Sequence, residues 1–212
     1  MTSVPELPGT PLALRTIEHV RAHVTESMAN HSFRSYVFAM LHAEHEGMRP
    51  GADFDPDLLF HACAMHDLGT SPKAEGVQRF EVEGADMAAA FLTDHGVGAA
   101  GADLVWEAIA LHSSPGIAER RGPLTRLTRA GIGMDFGRGT DAVTDAQGRE
   151  IHDRHPRLRM VASLVDEIVR HAGRGALTAP RYSLPGELAR ERGEAGHPTE
   201  LELTAAFSRW GE

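Results

Sequence analysis

Asp55-Pro56-Asp57-Leu58-Leu59-Phe60-His61-Ala62-Cys63-Ala64-Met65-His66-Asp67-Leu68-Gly69 is the stretch on which the reading of this chain turns. Asp55 is a cap residue and Pro56 suits the first helical position. Leu58, Leu59, Ala62 and Met65 recur at helical spacing, and Gly69 reads as the stop. The helix ends in His66-Asp67, two ionisable groups at the close of an apolar run. Such a pair is costly inside a protein unless it is bound or paired. The stretch therefore predicts a helix that delivers two candidate ligands to the interior.

Working outward, the same periodicity predicts helices almost everywhere. Leu14, Ile17, Val20 and Val24 mark one over Leu12–Met28. Phe33, Val37, Met40 and Leu41 mark a second, with His31 at its start. A polar loop, Thr70–Gln78, follows the quoted helix. Val82, Ala85, Ala88, Ala89 and Leu92 form a fourth helix, stopped by Gly96. Leu104, Ile109 and Leu111 around Trp106 form a fifth, ending in His112-Ser113-Ser114-Pro115. Leu124–Met134 is another and leads into Asp135. Phe136–Asp153, with three glycines, reads as a long loop. Pro156 opens a helix through Leu158, Val161, Leu164, Val165 and Ile168. Gly173–Gly196 is loop-rich, and a last helix fits Thr199–Trp210. No sustained period-2 strand or internal repeat is visible. The fold class is all-α and single-domain: an arm over 1–11, a helical domain over 12–175, and a C-terminal extension over 176–212 with a terminal helix, packed on the same domain.

Composition narrows the function. The 212 residues suffice for one real core. Lys73 is the only lysine, and the net charge of −9 argues against nucleic-acid or anionic-membrane partners. Cys63 is the only cysteine, so neither a disulfide framework nor a thiolate zinc cluster is available, and Cys63 reads as buried and inert. Met1–Pro11 lacks a basic stretch followed by an apolar run, so no signal peptide is read there. No apolar stretch approaches ~18 residues. A cytoplasmic protein with a small-molecule substrate is the expectation.

The chemistry lies in the order His31, His66-Asp67, Asp135. Imidazole nitrogen and carboxylate oxygen together suit one divalent metal such as zinc, iron or manganese. Such an ion lowers the pKa of a bound water toward ~7. A second His-Asp dipeptide, His152-Asp153, falls in the long loop and reads as a solvated coincidence.

That order on an all-helical chain resembles the HD superfamily of metal-dependent hydrolases, from about residue 30 to about residue 170. Two segments, Arg79-Phe80-Glu81-Val82-Glu83-Gly84-Ala85 and Trp106-Glu107-Ala108-Ile109-Ala110-Leu111-His112, resemble the corresponding helices of cyanamide hydratases, and the similarity continues through Pro156-Arg157. The resemblance implies an HD-type bundle around one divalent ion, usually zinc, held by His31, His66, Asp67 and Asp135. It implies hydration of a small nitrile such as cyanamide to urea, and a homodimer or larger assembly. Two departures matter. Thr70 stands where HD phosphodiesterases of cyclic dinucleotides carry Lys. Phe80 stands where binuclear members carry another His, and His95 replaces it only in a differently placed helix, so one metal is expected.

Asp67, His112 and Thr70 are the candidate catalytic residues beyond plain ligation. His112 suits a substrate contact or proton shuttle, and Thr70 a substrate hydrogen bond. Glu81 and Glu83 are open between partners of the site and solvated surface. Ser113–Gly122 and Phe136–Asp153 are candidate gates. A phosphohydrolase is the main rival and needs cations such as Lys73, Arg79 or Arg138 near the metal. A metal-stabilised sensing protein without catalysis is the third reading. His19 and His23 have ligand-like i, i+4 spacing but no third ligand nearby in sequence, and read as surface. His42 is too far along the helix from His31 to share an ion. His45, His61, His155, His171 and His197 show no usable pattern.

Overall fold

The computed structural model describes residues 3–193 and 197–211. Met1 and Thr2 of the arm, and Gly196 at the end of the loop-rich stretch, lie outside the described residues. Among the described residues the architecture is all-α, with helices α1 (Pro11–Arg21), α2 (Glu26–His45), α3 (Pro56–Met65), α4 (Phe80–Asp94), α5 (Ala99–Leu111), α6 (Pro123–Asp135), α7 (Asp145–Arg154), α8 (Met160–Ala172), α9 (Leu184–Gly193) and α10 (Glu200–Ala206). None is long and apolar enough to cross a membrane.

The centre of the bundle is α2. From Ser27 to Ala39 every residue is buried, so its two-sided burial leaves no strong amphipathic stripe. Helices α1, α3, α6, α7 and α8 all touch it. The tightest crossing is with α6. A Cβ on Gly131 would stand 2.1 Å from the Ser35 carbonyl oxygen and 2.7 Å from Ala39 Cβ. Only glycine allows that approach, and it brings Asp135, one turn further along α6, against the start of α2.

Helix α3 forms as its sequence dictates. The Asp55 carboxylate accepts from the backbone N–H groups of Asp57 and Leu58, and Pro56 opens the helix. Gly69, however, is no C-cap: α3 ends at Met65, and Gly69 lies in a following 3₁₀ turn, Leu68–Thr70. Its lack of a side chain serves packing. A Cβ there would stand 1.9 Å from the Phe80 carbonyl oxygen, and one on Gly84 would stand 2.9 Å from Gly69 N. Helix α4 thus lies directly on the turn that carries His66 and Asp67.

Several boundaries differ from the periodic reading. The first long helix is two, because Thr25 caps α2 and breaks the run after Arg21. The arm is not free: Val4 is buried in the core. The long loop contains α7, started by a capping box between Thr144 and Gln147. Pro156 opens no helix. The carbonyls of His155 and Pro156 accept from the Arg34 guanidinium, and Leu158 and Arg159 take left-handed conformations (φ 53° and 56°) before α8 begins. The loop-rich stretch holds α9, and the last helix ends at Ala206. Beyond it Trp210 stacks on Phe38 and donates to the Met134 carbonyl, so this segment packs on the body.

Candidate metal centre

Three ligand atoms meet inside the bundle. His66 Nε2 lies 3.2 Å from His31 Nε2 and 3.1 Å from Asp67 Oδ2, and His31 Nε2 lies 3.9 Å from the same oxygen. The three side chains come from the second turn of α2 and the end of α3. All are buried.

Their protonation follows from their neighbours. His66 Nδ1–H donates to the Cys63 carbonyl at 2.8 Å. His31 Nδ1–H donates to Asp135 Oδ2 at 2.6 Å. In the neutral rings both Nε2 atoms therefore carry lone pairs, and both lone pairs face Asp67 Oδ2, which accepts no hydrogen bond from the described residues. Three converging Lewis bases repel one another unless a cation sits among them. That orphaned oxygen, with two imidazoles fixed in the ligating tautomer, fits a divalent metal. The electrostatics agree. Burial opposes charge on His66, yet the Asp67 carboxylate beside it raises its pKa above the usual range. Burial pushes the Asp67 carboxyl up, but His66 and His31 outweigh it and bring its pKa down to about 2. Burial lowers the pKa of His31 despite Asp135, so its ring stays neutral and ready to ligate. At His66 and Asp67 positive charge is favoured, and proton and metal compete.

Asp135 is buried with these groups but is not part of the convergence. Its Oδ2 faces His31 Nδ1 and Arg34 Nη2 (2.7 Å), and its Oδ1 accepts from Arg34 Nε (2.7 Å) and Arg157 Nη1 (3.1 Å). In this geometry it orients His31 from behind. Burial alone would raise its pKa, but the Arg34 guanidinium holds the carboxyl well below the usual carboxylate range.

Arg34 is not among the candidates that the sequence pattern singles out, although an arginine in the middle of an apolar helix, three residues after His31, is a readable signal. His152 is a correction: it is not solvated but lies 3.8 Å from Asp135 Oδ1, beside Trp210. Asp153 is exposed, as a coincidental neighbour would be.

His112 joins the site. Its ring stands edge-on to His66 with centroids 5.0 Å apart. Burial, helped by His66, lowers its pKa to about 4, so it is neutral near pH 7. Its Nδ1–H donates to the Ile109 carbonyl, which leaves Nε2 as the acceptor. Thr70 does not join. Its hydroxyl donates to the Asp67 carbonyl at 2.8 Å, and it braces the turn instead of facing the cavity.

The two open glutamates are both buried. Glu81 Oε1 binds Ser113 Oγ and Arg79 Nη2, each at 2.5 Å. Glu83 gathers the backbone N–H groups of Gly76, Val77 and Gln78 and so fixes the loop before α4. His95 ends α4 at the surface, and Phe80 is a wall of the cavity.

That cavity is about 250 Å³, and His31, His66, Asp67 and His112 all line it. Of the two candidate gates, Ser113 and Pro115 of one and Phe136 and Arg138 of the other line it. No curated protein matches the chain. The family model described as the HD domain matches residues 28–172, which takes in the converging ligands, Asp135 and His112, and the chain therefore belongs to the HD domain family, whose members are in general metal-dependent hydrolases.

Proposed function

We propose that this protein adds water to a small, uncharged nitrile-type electrophile at a mononuclear divalent centre held by His31, His66 and Asp67, with zinc the first choice of metal and cyanamide the simplest substrate. The observation that carries the proposal is the convergence of two preset imidazole lone pairs on the unpartnered Asp67 oxygen. A divalent ion bound there would supply Lewis acidity and a water of pKa near ~7. Around it, Asp135 holds His31 in the ligating tautomer and Arg34 holds Asp135. His112 Nε2 accepts a proton from the attacking water and returns it to the substrate nitrogen. In the balanced step one C–O bond forms, one π bond of the C≡N group breaks, and the imidic acid tautomerises to the amide, which for cyanamide is urea.

The rival phosphohydrolase needs free cations at the cavity. Lys73 Nζ donates to the Ala22 carbonyl, Arg79 is paired with Glu81, and the cavity-lining Arg129 is paired with Glu119. Arg138 alone of the three sequence candidates reaches the rim. This arrangement favours an uncharged substrate.

The test is metal analysis of the purified protein together with urea release from cyanamide. About one metal per chain, measurable urea, and loss of both in His66→Ala are expected. Release of phosphate from p-nitrophenyl phosphate without urea from cyanamide would instead establish the phosphohydrolase.

A further inference from the structure

Besides the candidate ligands, His112, Ser113, Arg129 and Arg138, the cavity has an extensive apolar lining. Phe80, Ile132 and Phe136 belong to it, all of them buried. Leu164 and Ile168 of α8, Leu184 of α9 and Leu201 of α10 continue the same apolar lining. Leu188 and Ala205 of α9 and α10 are buried in the cluster that Val161, Val165 and Ile168 of α8 share with Phe80 and Phe136, so the two short helices pack on α8 as part of that core. Leu184 and Leu201 remain only partly buried and face the cavity. Both helices lie beyond residue 172, outside the stretch that matches the family. The C-terminal segment thus adds Leu184 and Leu201 to an apolar wall that Leu164 and Ile168 begin within the matched stretch.

Cyanamide has three heavy atoms, all of them part of the polar reacting group. It has nothing to place against four aliphatic side chains. The cavity is many times the roughly 10–15 Å³ that a cavity needs to hold one water. Filling it with cyanamide leaves that wall wet, whereas an alkyl or aryl group there gains the burial of each methylene.

We infer that the substrate carries an apolar substituent on the reacting carbon, an alkyl chain or aromatic ring, and that Leu164, Ile168, Leu184 and Leu201 select it. The inference rests on the proposed metal site for the position of the reacting end. It rests on α8, α9 and α10 for the rest.

Binding of n-alkyl hydroxamates tests it. The hydroxamate head chelates a metal, and the chain length can be varied from acetohydroxamate to hexanohydroxamate. Calorimetric titration of the metal-loaded protein then gives two separate quantities. The affinity of the shortest compound reports the metal. The gain per added methylene reports the wall. A gain of about fourfold per methylene is expected over the first few carbons. It should fall below twofold in the double variant Leu184→Ser/Leu201→Ser, whose positions are partly exposed and tolerate the change. Weak binding throughout with the gain retained would remove the metal assignment but keep the wall. A flat series in the wild type, at any absolute affinity, overturns the inference. An undiminished gain in the double variant overturns the role given to α9 and α10.

Discussion

At the scale of the residue, the centre is built by fixing protons before any metal arrives. Two imidazoles of the same chemistry receive different partners, a backbone carbonyl for His66 and a carboxylate for His31, and both end with Nε2 turned inward. Asp135 is the residue whose role this arrangement reassigns. As a direct ligand it would be as indispensable as His66. As the orienting partner of His31 it tunes affinity, and loss of such a partner typically costs 10–100-fold in metal binding. Asp135→Asn is therefore expected to keep the metal with affinity weakened about 10–100-fold, while His66→Ala loses it; competition against a chromogenic chelator measures both. Equal loss in the two variants would make Asp135 a ligand. Asp135→Asn also leaves the buried Arg34 without its anion, so a fall of about 3 kcal/mol in stability should accompany it. The measurement belongs well below the melting temperature for that reason.

At the scale of the element, the site depends on how closely helices cross. His31 and Asp135 meet only because α6 lies on α2 at Gly131. Gly131→Ala is expected to destabilise by about 1–3 kcal/mol, at about 2–4 °C of melting temperature for each kcal/mol, and to weaken metal binding as Asp135 is pushed off His31. Gly133→Ala, two positions on, is the control. Its Cβ would meet nothing nearer than Arg138 Cβ at 3.8 Å, and alanine improves helix propensity there. Thermal melts of the two variants that coincide would remove the close-crossing argument. The same contrast explains what the sequence could tell. Helices α3, α4, α5 and α6 carry runs of apolar residues at regular spacing and bracket the site, so His66, Asp67 and the nearby His112 could be read directly. Helices α7 and α9 bury two or three residues each and keep an internal glycine. In α7 that glycine makes room for the Trp210 ring, since a Cβ on Gly148 would stand 2.6 Å from it. A contact from 62 positions away leaves no periodic trace, which is why Phe136–Asp153 reads as a loop. Placing Asp135 behind His31 instead of beside it likewise needed Arg34 and Arg157 in three dimensions.

At the scale of the whole molecule, the bundle keeps histidines neutral well away from the metal centre. His61 is the clearest case. It is buried, and burial lowers its pKa to about 4. The Thr16 hydroxyl donates to the Leu12 carbonyl, so it accepts from His61 Nδ1–H at 3.0 Å. In the unfolded chain the same ring titrates near 6.5. Between these two values the unfolded state binds the extra proton and the folded state does not, so stability falls as the pH falls through that window and stops falling below about 4. The sign is opposite to that of a histidine stabilised by a carboxylate. The window is also distinct from that of Asp135, whose depressed pKa contributes stability above the ordinary carboxylate range and loses it only at lower pH. A shift from 6.5 to about 4 corresponds to a loss of up to about 3 kcal/mol by pH 4. His61→Asn keeps a donor for Thr16 and cannot titrate. Urea midpoints of the metal-free proteins at pH 7.0 and 4.5 are expected to fall less in the variant than in the wild type, by most of that amount. Metal-free samples matter, because proton competition at His66 would otherwise add its own acid dependence. If the two proteins lose the same stability across the window, His61 accepts its proton inside the fold, and the acid sensitivity belongs to the other buried rings, with His155 beside Arg34 the next to test.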